Sequence, residues 1–156
     1  MPFLSELAGK KELMLKAFLS DKRLVSLIAD DPDCEVPADS LRYKQVFPYA
    51  HIDFTVEHAT TFVCFDVDVP EVRTIAVKNC YITVWAFTHR DKLMTRDGMR
   101  IDLLANRIDE LMNGSTQYGF GRVKLERVVR FAPNRDFYGR ELTYFVQDWN
   151  RFGEGL

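Results

Sequence analysis

Three cysteines and three histidines, Cys34, Cys64, Cys80, His51, His58 and His89, are the residues of this chain best suited to hold a metal or to pair a nucleophile with a base. A zinc site needs close pairs such as C-x-x-C or H-x-x-x-H, because one short loop or helical turn must aim two ligands at one ion. The six residues form no such pair. A Cys64 or Cys80 nucleophile with His89 would also need an oxyanion hole that the sequence does not advertise, and no G-x-S-x-G elbow is present. Both cysteines read instead as small core residues on strands. Asp66 and Asp68 share one strand face, where they can form a polar surface, bind a divalent cation or meet a subunit. Asp109 and Glu110 leave a helix in different directions and read as solvated. Gly114, Gly119 and Gly121 follow a helix rather than open one, so they mark turns and not a phosphate cradle. No catalytic residue, metal or cofactor is expected.

Basic residues are the next source of function. Between Arg122 and Arg140 six bases (Arg122, Lys124, Arg127, Arg130, Arg135, Arg140) face two acids, Glu126 and Asp136. Alternation with apolar residues could lay a stripe that meets phosphates. The bland alternative is a charged outer sheet face or a subunit contact, since the whole chain carries a formal charge of -2. An RNA-recognition domain is set aside, because its β-α-β-β-α-β order and its aromatic signature run are both missing.

The elements that must carry these residues are legible from periodicity. Leu4, Leu7, Leu15, Phe18 and Leu19 recur at helical spacing over 4–19. Ser20 or Asp21 can cap a second, short helix with Leu24, Leu27 and Ile28 inside, ending before Pro32. Residues 30–39 form an acidic connector in which Asp30, Asp31, Asp33, Glu35 and Asp39 meet no base. Pro48 keeps 43–52 irregular but docked. A strand over 61–69 alternates Val63, Phe65, Val67 and Val69 with acids and closes at Pro70. Residues 79–88 are apolar on both parities, as in a central strand. Asp97 can cap the main helix, whose face is Ile101, Leu104, Ile108 and Leu111, and Asn113-Gly114 stops it. Two segments, 119–131 and 139–149, form a hairpin across Pro133 and Asn134. The fold class is therefore α+β: two N-terminal helices, then β-β-α-β-β, with a mostly antiparallel sheet and the main helix packed on one face.

At 156 residues, 47% hydrophobic and 13% aromatic, the chain reads as one ordinary globular domain over 1–150 with a frayed tail at 151–156. Its first residues lack the pattern of a signal peptide, and no run approaches a membrane span, so it is expected to stay in the compartment where it is made, without a membrane. Three scattered cysteines fit reduced thiols better than a disulfide framework.

Several segments carry a resemblance: VFPY at 46–49, CFDVDVP at 64–70, YITVWAFTHRD at 81–91, RDGMRIDLLANRIDELMNGS at 96–115, YGFGRVKLERV at 118–128 and FYGRELTYFVQDWN at 137–150. Over residues 40–150 the chain resembles small neck and tail proteins of tailed bacteriophages and prophages, above all tail-terminator (tail-completion) proteins of phages of Gram-positive bacteria. That resemblance implies a structural virion protein and no enzyme. It implies a homo-oligomer, usually a hexameric ring, at the head-proximal end of the tail. Such a ring ends tube polymerisation, meets the tail-tube protein and the head connector, and lets phage DNA pass without sequence-specific binding. The implied location is the virion neck, assembled in the host cytoplasm. A head-closure or head-tail adaptor role in the same neck is the alternative; a nucleic-acid-binding regulator or a small metal-dependent enzyme stands further off.

A ring of identical subunits joins one patch to a different one on the neighbour. The acidic residues Asp31, Asp33 and Glu35 and the basic Arg127 and Arg130 are expected to supply that pair. The turn at 88–98, with Arg90, Lys92, Leu93, Met94 and Arg96, is the segment expected to meet a neighbour. Leu93 and Met94 either are covered by a partner or tuck back onto their own domain.

Overall fold

The computed structural model describes residues 4, 6–33, 35–52, 60–74 and 76–149. Cys34, His58 and the tail at 151–156 lie outside the described residues. The elements are helices α1 (Leu7–Ser20), α2 (Lys22–Ala29) and α3 (Arg100–Met112) and strands β1 (Val46–Phe47), β2 (Thr61–Val72), β3 (Val77–His89), β4 (Met94–Thr95), β5 (Gly98–Met99), β6 (Lys124–Phe131) and β7 (Phe137–Trp149). Five strands form one sheet in the order β1-β2-β3-β7-β6, and β4-β5 is a separate hairpin. The β1-β2 pair is parallel and every other pair antiparallel. The class is α+β with three α-helices and a mixed, mostly antiparallel sheet.

Strand alternation decides where the core sits. Val63, Phe65 and Val67 of β2, Cys80, Ile82, Val84 and Ala86 of β3, and Leu142, Tyr144 and Val146 of β7 point to one face. There they meet Met14, Leu15 and Phe18 of α1, Leu24, Val25 and Ile28 of α2, and Leu104, Ile108 and Met112 of α3. All three helices thus cover the same face, whereas the sequence assigned that place to α3. On the other face Phe47, Phe62, Cys64, Phe87 and Phe137 form a second, smaller cluster with Trp85 and Phe131 beside it. Gly139 makes that cluster possible, because a Cβ there would lie 2.4 Å from the Ala86 carbonyl oxygen and 2.6 Å from the Phe87 Cβ. Only a residue without a side chain lets Phe87 lie this close.

Several expectations need correction. The first helix begins at Leu7, and Leu4 is exposed. Lys10, on its predicted polar side, is 4% exposed, as is Asp148 of β7. Its ammonium is ion-paired with Asp148, which also takes Lys78 at 3.3 Å. The Lys10 Nζ lies 4.7 Å above the Phe120 ring. Burying charge is tolerable when each ion has a partner. Pro70 does not close β2, which runs on to Val72 through an irregularity between Asp68 and Glu71. A proline inside a bulged edge strand removes no ladder bond that the sheet needs. Asp97 does not cap α3: it sits in the β4-β5 turn, and the N-cap position is Met99, without a side-chain bond. Asp21 does cap α2, accepting from the Leu24 amide at 2.9 Å. Gly114 takes φ +77° after α3, the left-handed stop that Asn113-Gly114 predicts.

Candidate functional site

The turn at 88–98 is built as a rigid projection. His89 accepts the Asp91 amide at 3.2 Å and starts a 3-10 turn over Arg90–Lys92. The chain then reverses through β4 and β5, where Met94 pairs with Met99 and Thr95 with Gly98. Thr95 Oγ1 donates to the Gly98 carbonyl at 2.7 Å and accepts the Asp97 amide at 3.2 Å, which closes the turn. Met94 is 70% exposed and Met99 36%, and as cross-strand partners they make one apolar knob. Leu93 is half-buried, so of the two apolar residues only Met94 stands in solvent.

Arg100 fastens this knob to the body. Buried at 5% exposure, it donates from Nε to the Lys92 carbonyl (2.8 Å), from Nη1 to the Leu27 carbonyl (2.7 Å) and from Nη2 to Asp30 Oδ1 (2.7 Å). The Leu27 carbonyl belongs to the last turn of α2, which has no partner inside its helix and favours positive charge. Gln45 does the same for the Ile28 carbonyl at 3.0 Å. Asp30 closes α2 with φ +55° and also takes Lys92 Nζ at 2.9 Å. Its carboxyl is held below its ordinary range, first by the Lys92 bond and then by the Arg100 charge. The expectation that Asp30 meets no base is therefore overturned: the acidic connector is tied to the turn within the chain. Together the two segments border a depression of about 580 Å³ lined by Leu27, Asp31, Pro32, Met94, Arg96 and Arg100, among others. Asp31 accepts the Val36 amide at 2.8 Å and braces the connector, while Asp33 and Glu35 are exposed. Arg90 is exposed and lies 3.7 Å from Asp136.

The basic segment is not one stripe. By strand register Arg127 stands opposite Thr143 on the face away from the helices, whereas Arg130 stands opposite Arg140 on the helix side. Arg140 reaches Asp102 of α3 at 3.0 Å. Arg127 borders a second depression, of about 700 Å³, over Tyr81, Thr83, Trp85, Glu141 and Thr143. Its floor is pinned by a 2.8 Å bond from Trp85 Nε1 to Glu141.

The residues suited to metal or nucleophile chemistry are dispersed. Cys64 is buried and donates to the His51 carbonyl at 3.4 Å; burial pushes its thiol up to about 12. Burial likewise raises the Cys80 thiol. Such thiols are poor nucleophiles because the thiolate is the reactive form. Among the described residues no three His, Cys, Asp or Glu side chains are placed to hold a metal ion. Sequence reasoning missed Arg100 and Met99. The signal available for Met99 was its spacing from Met94 across a short polar turn; Arg100 looked like any base at a helix start.

The model of the YomW family matches residues 21–146, from the cap of α2 to the last core residue of β7. This is a Bacillus phage-derived family. No curated protein matches the chain.

Proposed function

The chain belongs to the phage-derived YomW family, and from that premise we propose that it is a structural protein of the virion neck: a tail terminator that forms a ring on the head-proximal end of the tail tube, ends its polymerisation and docks the head connector. The observation that carries this reading is the anchored knob. A side chain as apolar as Met94 held in solvent by a buried arginine is a contact surface presented in a fixed pose, and fixing a contact before binding lowers the ordering cost of association. Methionine suits such a surface because its flexible thioether adapts to the partner that covers it. In this reading the knob faces the tail-tube protein or the connector, the protein acts as a homo-oligomer, and DNA passes through the ring without base recognition.

Deleting the gene from a phage genome and imaging the particles tests the role. Over-long tubes without heads are the expected product. Tails of normal length beside heads that lose their DNA would replace the terminator with a head-closure or adaptor protein, and normal infectious particles would overturn the virion role altogether.

A further inference from the structure

We propose that neighbouring copies of this chain join head to tail through the two outer strands of the sheet, the β2 edge of one copy pairing antiparallel with the β6 edge of the next. The proposal deepens the ring reading and rests on it.

Both edges are open. Strand β1 pairs only with Val63 and Cys64, so from Phe65 onward β2 has no strand beside it on that side among the described residues. Strand β6 is the opposite edge, and Val128 and Val129 are exposed on it. An exposed edge offers a row of unpaired amides and carbonyls to another chain. Which chain it accepts depends on what its side chains exclude.

The registers trace two complete rows across the open face. One runs Asp68, Tyr81, Phe145, Lys124; the next runs Asp66, Thr83, Thr143, Arg127. Each row starts with an acid on β2 and ends with a base on β6. A neighbour added at the same level therefore sets Lys124 beside Asp68 and Arg127 beside Asp66. The bulge in β6 creates this match. Without the register shift between Leu125 and Arg127, strict alternation would send Arg127 to the helix side; with it, Lys124 and Arg127 share a face in adjacent rows, the spacing of Asp66 and Asp68.

The same charges oppose the wrong assemblies. Two β6 edges would oppose base to base and two β2 edges acid to acid, and like charges directly opposite destabilise a strand pair. Only the heterologous join is attractive, and heterologous joins generate closed rings or open filaments. Pro70 lacks an amide hydrogen and limits the ladder on β2 to the residues before it. Within a subunit Asp66 has a partner in Lys11 at 2.6 Å, and Arg127 lies 3.8 Å from Glu141. Asp68 and Lys124 have no ion pair among the described residues, and they are the decisive row.

The experiment uses the full chain with Asp68→Lys, Lys124→Asp and both changes together, followed by sedimentation velocity over a concentration series. Each single reversal is expected to raise the concentration needed for assembly about tenfold or more, on the scale of close charge pairs at interfaces. The double reversal restores it, since the two positions lie on opposite edges and can meet only between copies. Thermal unfolding of each variant separates lost assembly from lost folding. A wild-type oligomer that all three variants reproduce unchanged overturns the edge contact and leaves the ring. A wild type monomeric at every concentration overturns the ring and the contact with it.

Discussion

The two faces of the sheet treat charge in opposite ways. On the helix side ionic groups are closed in on one another: Lys10 and Lys78 on Asp148, Arg107 on Asp21, Arg100 and Lys92 on Asp30, Arg140 on Asp102. On the open side Asp66 and Asp68 stand on one edge and Lys124 and Arg127 on the other, with a threonine and aromatic floor between them in which Glu141 is bonded to Trp85. The first arrangement ties helices to strands and to one another within the chain. The second leaves Asp68 and Lys124, at the two ends of one row, without an ion pair among the described residues, while Asp66 and Arg127 of the next row also have Lys11 and Glu141 within the chain. The contrast separates residues that hold the fold from residues available for assembly.

The sharpest way to break that contrast is to disturb the enclosed side. Replacing Asp148 by Asn removes the buried carboxylate that Lys10 and Lys78 share, while Lys10 keeps Glu6 at 3.4 Å, and the expected loss is about 3 kcal/mol in urea unfolding. A loss near zero would mean that the cluster is solvated and the two faces are not so different. Gly139→Ala probes the tight approach under the small aromatic cluster, with an expected cost of about 1–3 kcal/mol from overpacking.

Asp21→Ala removes both the α2 cap and the Arg107 contact, and should cost about 1–2 kcal/mol on the scale of cap deletions. The Arg107 hydrogen bond is the main cause holding the Asp21 carboxyl below its ordinary 3.8. A lowered folded value means that the stabilisation is complete above the unfolded value and disappears as pH falls through the folded one. Wild type should therefore lose stability below about pH 4 more steeply than the variant. Equal acid limbs in the two melting profiles would count against the pairing. The smallest expected effect on folding is at the knob: Met94→Asp should change stability by less than about 0.5 kcal/mol, yet, under the proposed role, weaken capture of a tail-tube or connector protein. If unfolding shifts by much more, Met94 is packing on its own domain.

Most of the fold was visible from local pattern. Helix α3, the central position of β3 and the β6-β7 hairpin each follow from a period or a turn signal, and Asp21 announced its cap. Strand β1 was not visible, because two residues carry no period and their pairing with β2 is decided by tertiary contact. The β4-β5 hairpin was hidden for a related reason: its turn falls at Arg96 and Asp97, one residue ahead of where the Asp97-Gly98 pair would place a two-residue loop. Lys10 and Asp148 lie 138 positions apart, so their burial could not be read from either neighbourhood. The candidate site divides in the same way. The turn at 88–98 stood out as charged residues around Leu93 and Met94, but its anchor and the split of Arg127 from Arg130 depend on register and on a bulge that sequence alternation does not reveal.

Arg100 is the first residue of α3 and grips the last turn of α2, so the knob is mechanically part of a helix pair seated on the sheet. Its three bonds leave one planar group: one holds the Lys92 carbonyl of the turn, and two hold the Leu27 carbonyl and the Asp30 carboxylate at the end of α2. A pull on Met94 reaches the bond to Lys92 and is then shared by the two bonds to α2, so the load passes into the helix pair instead of being lost in a slack tether. The projection thus has the properties of a stiff lever whose fulcrum is the α2-α3 pair.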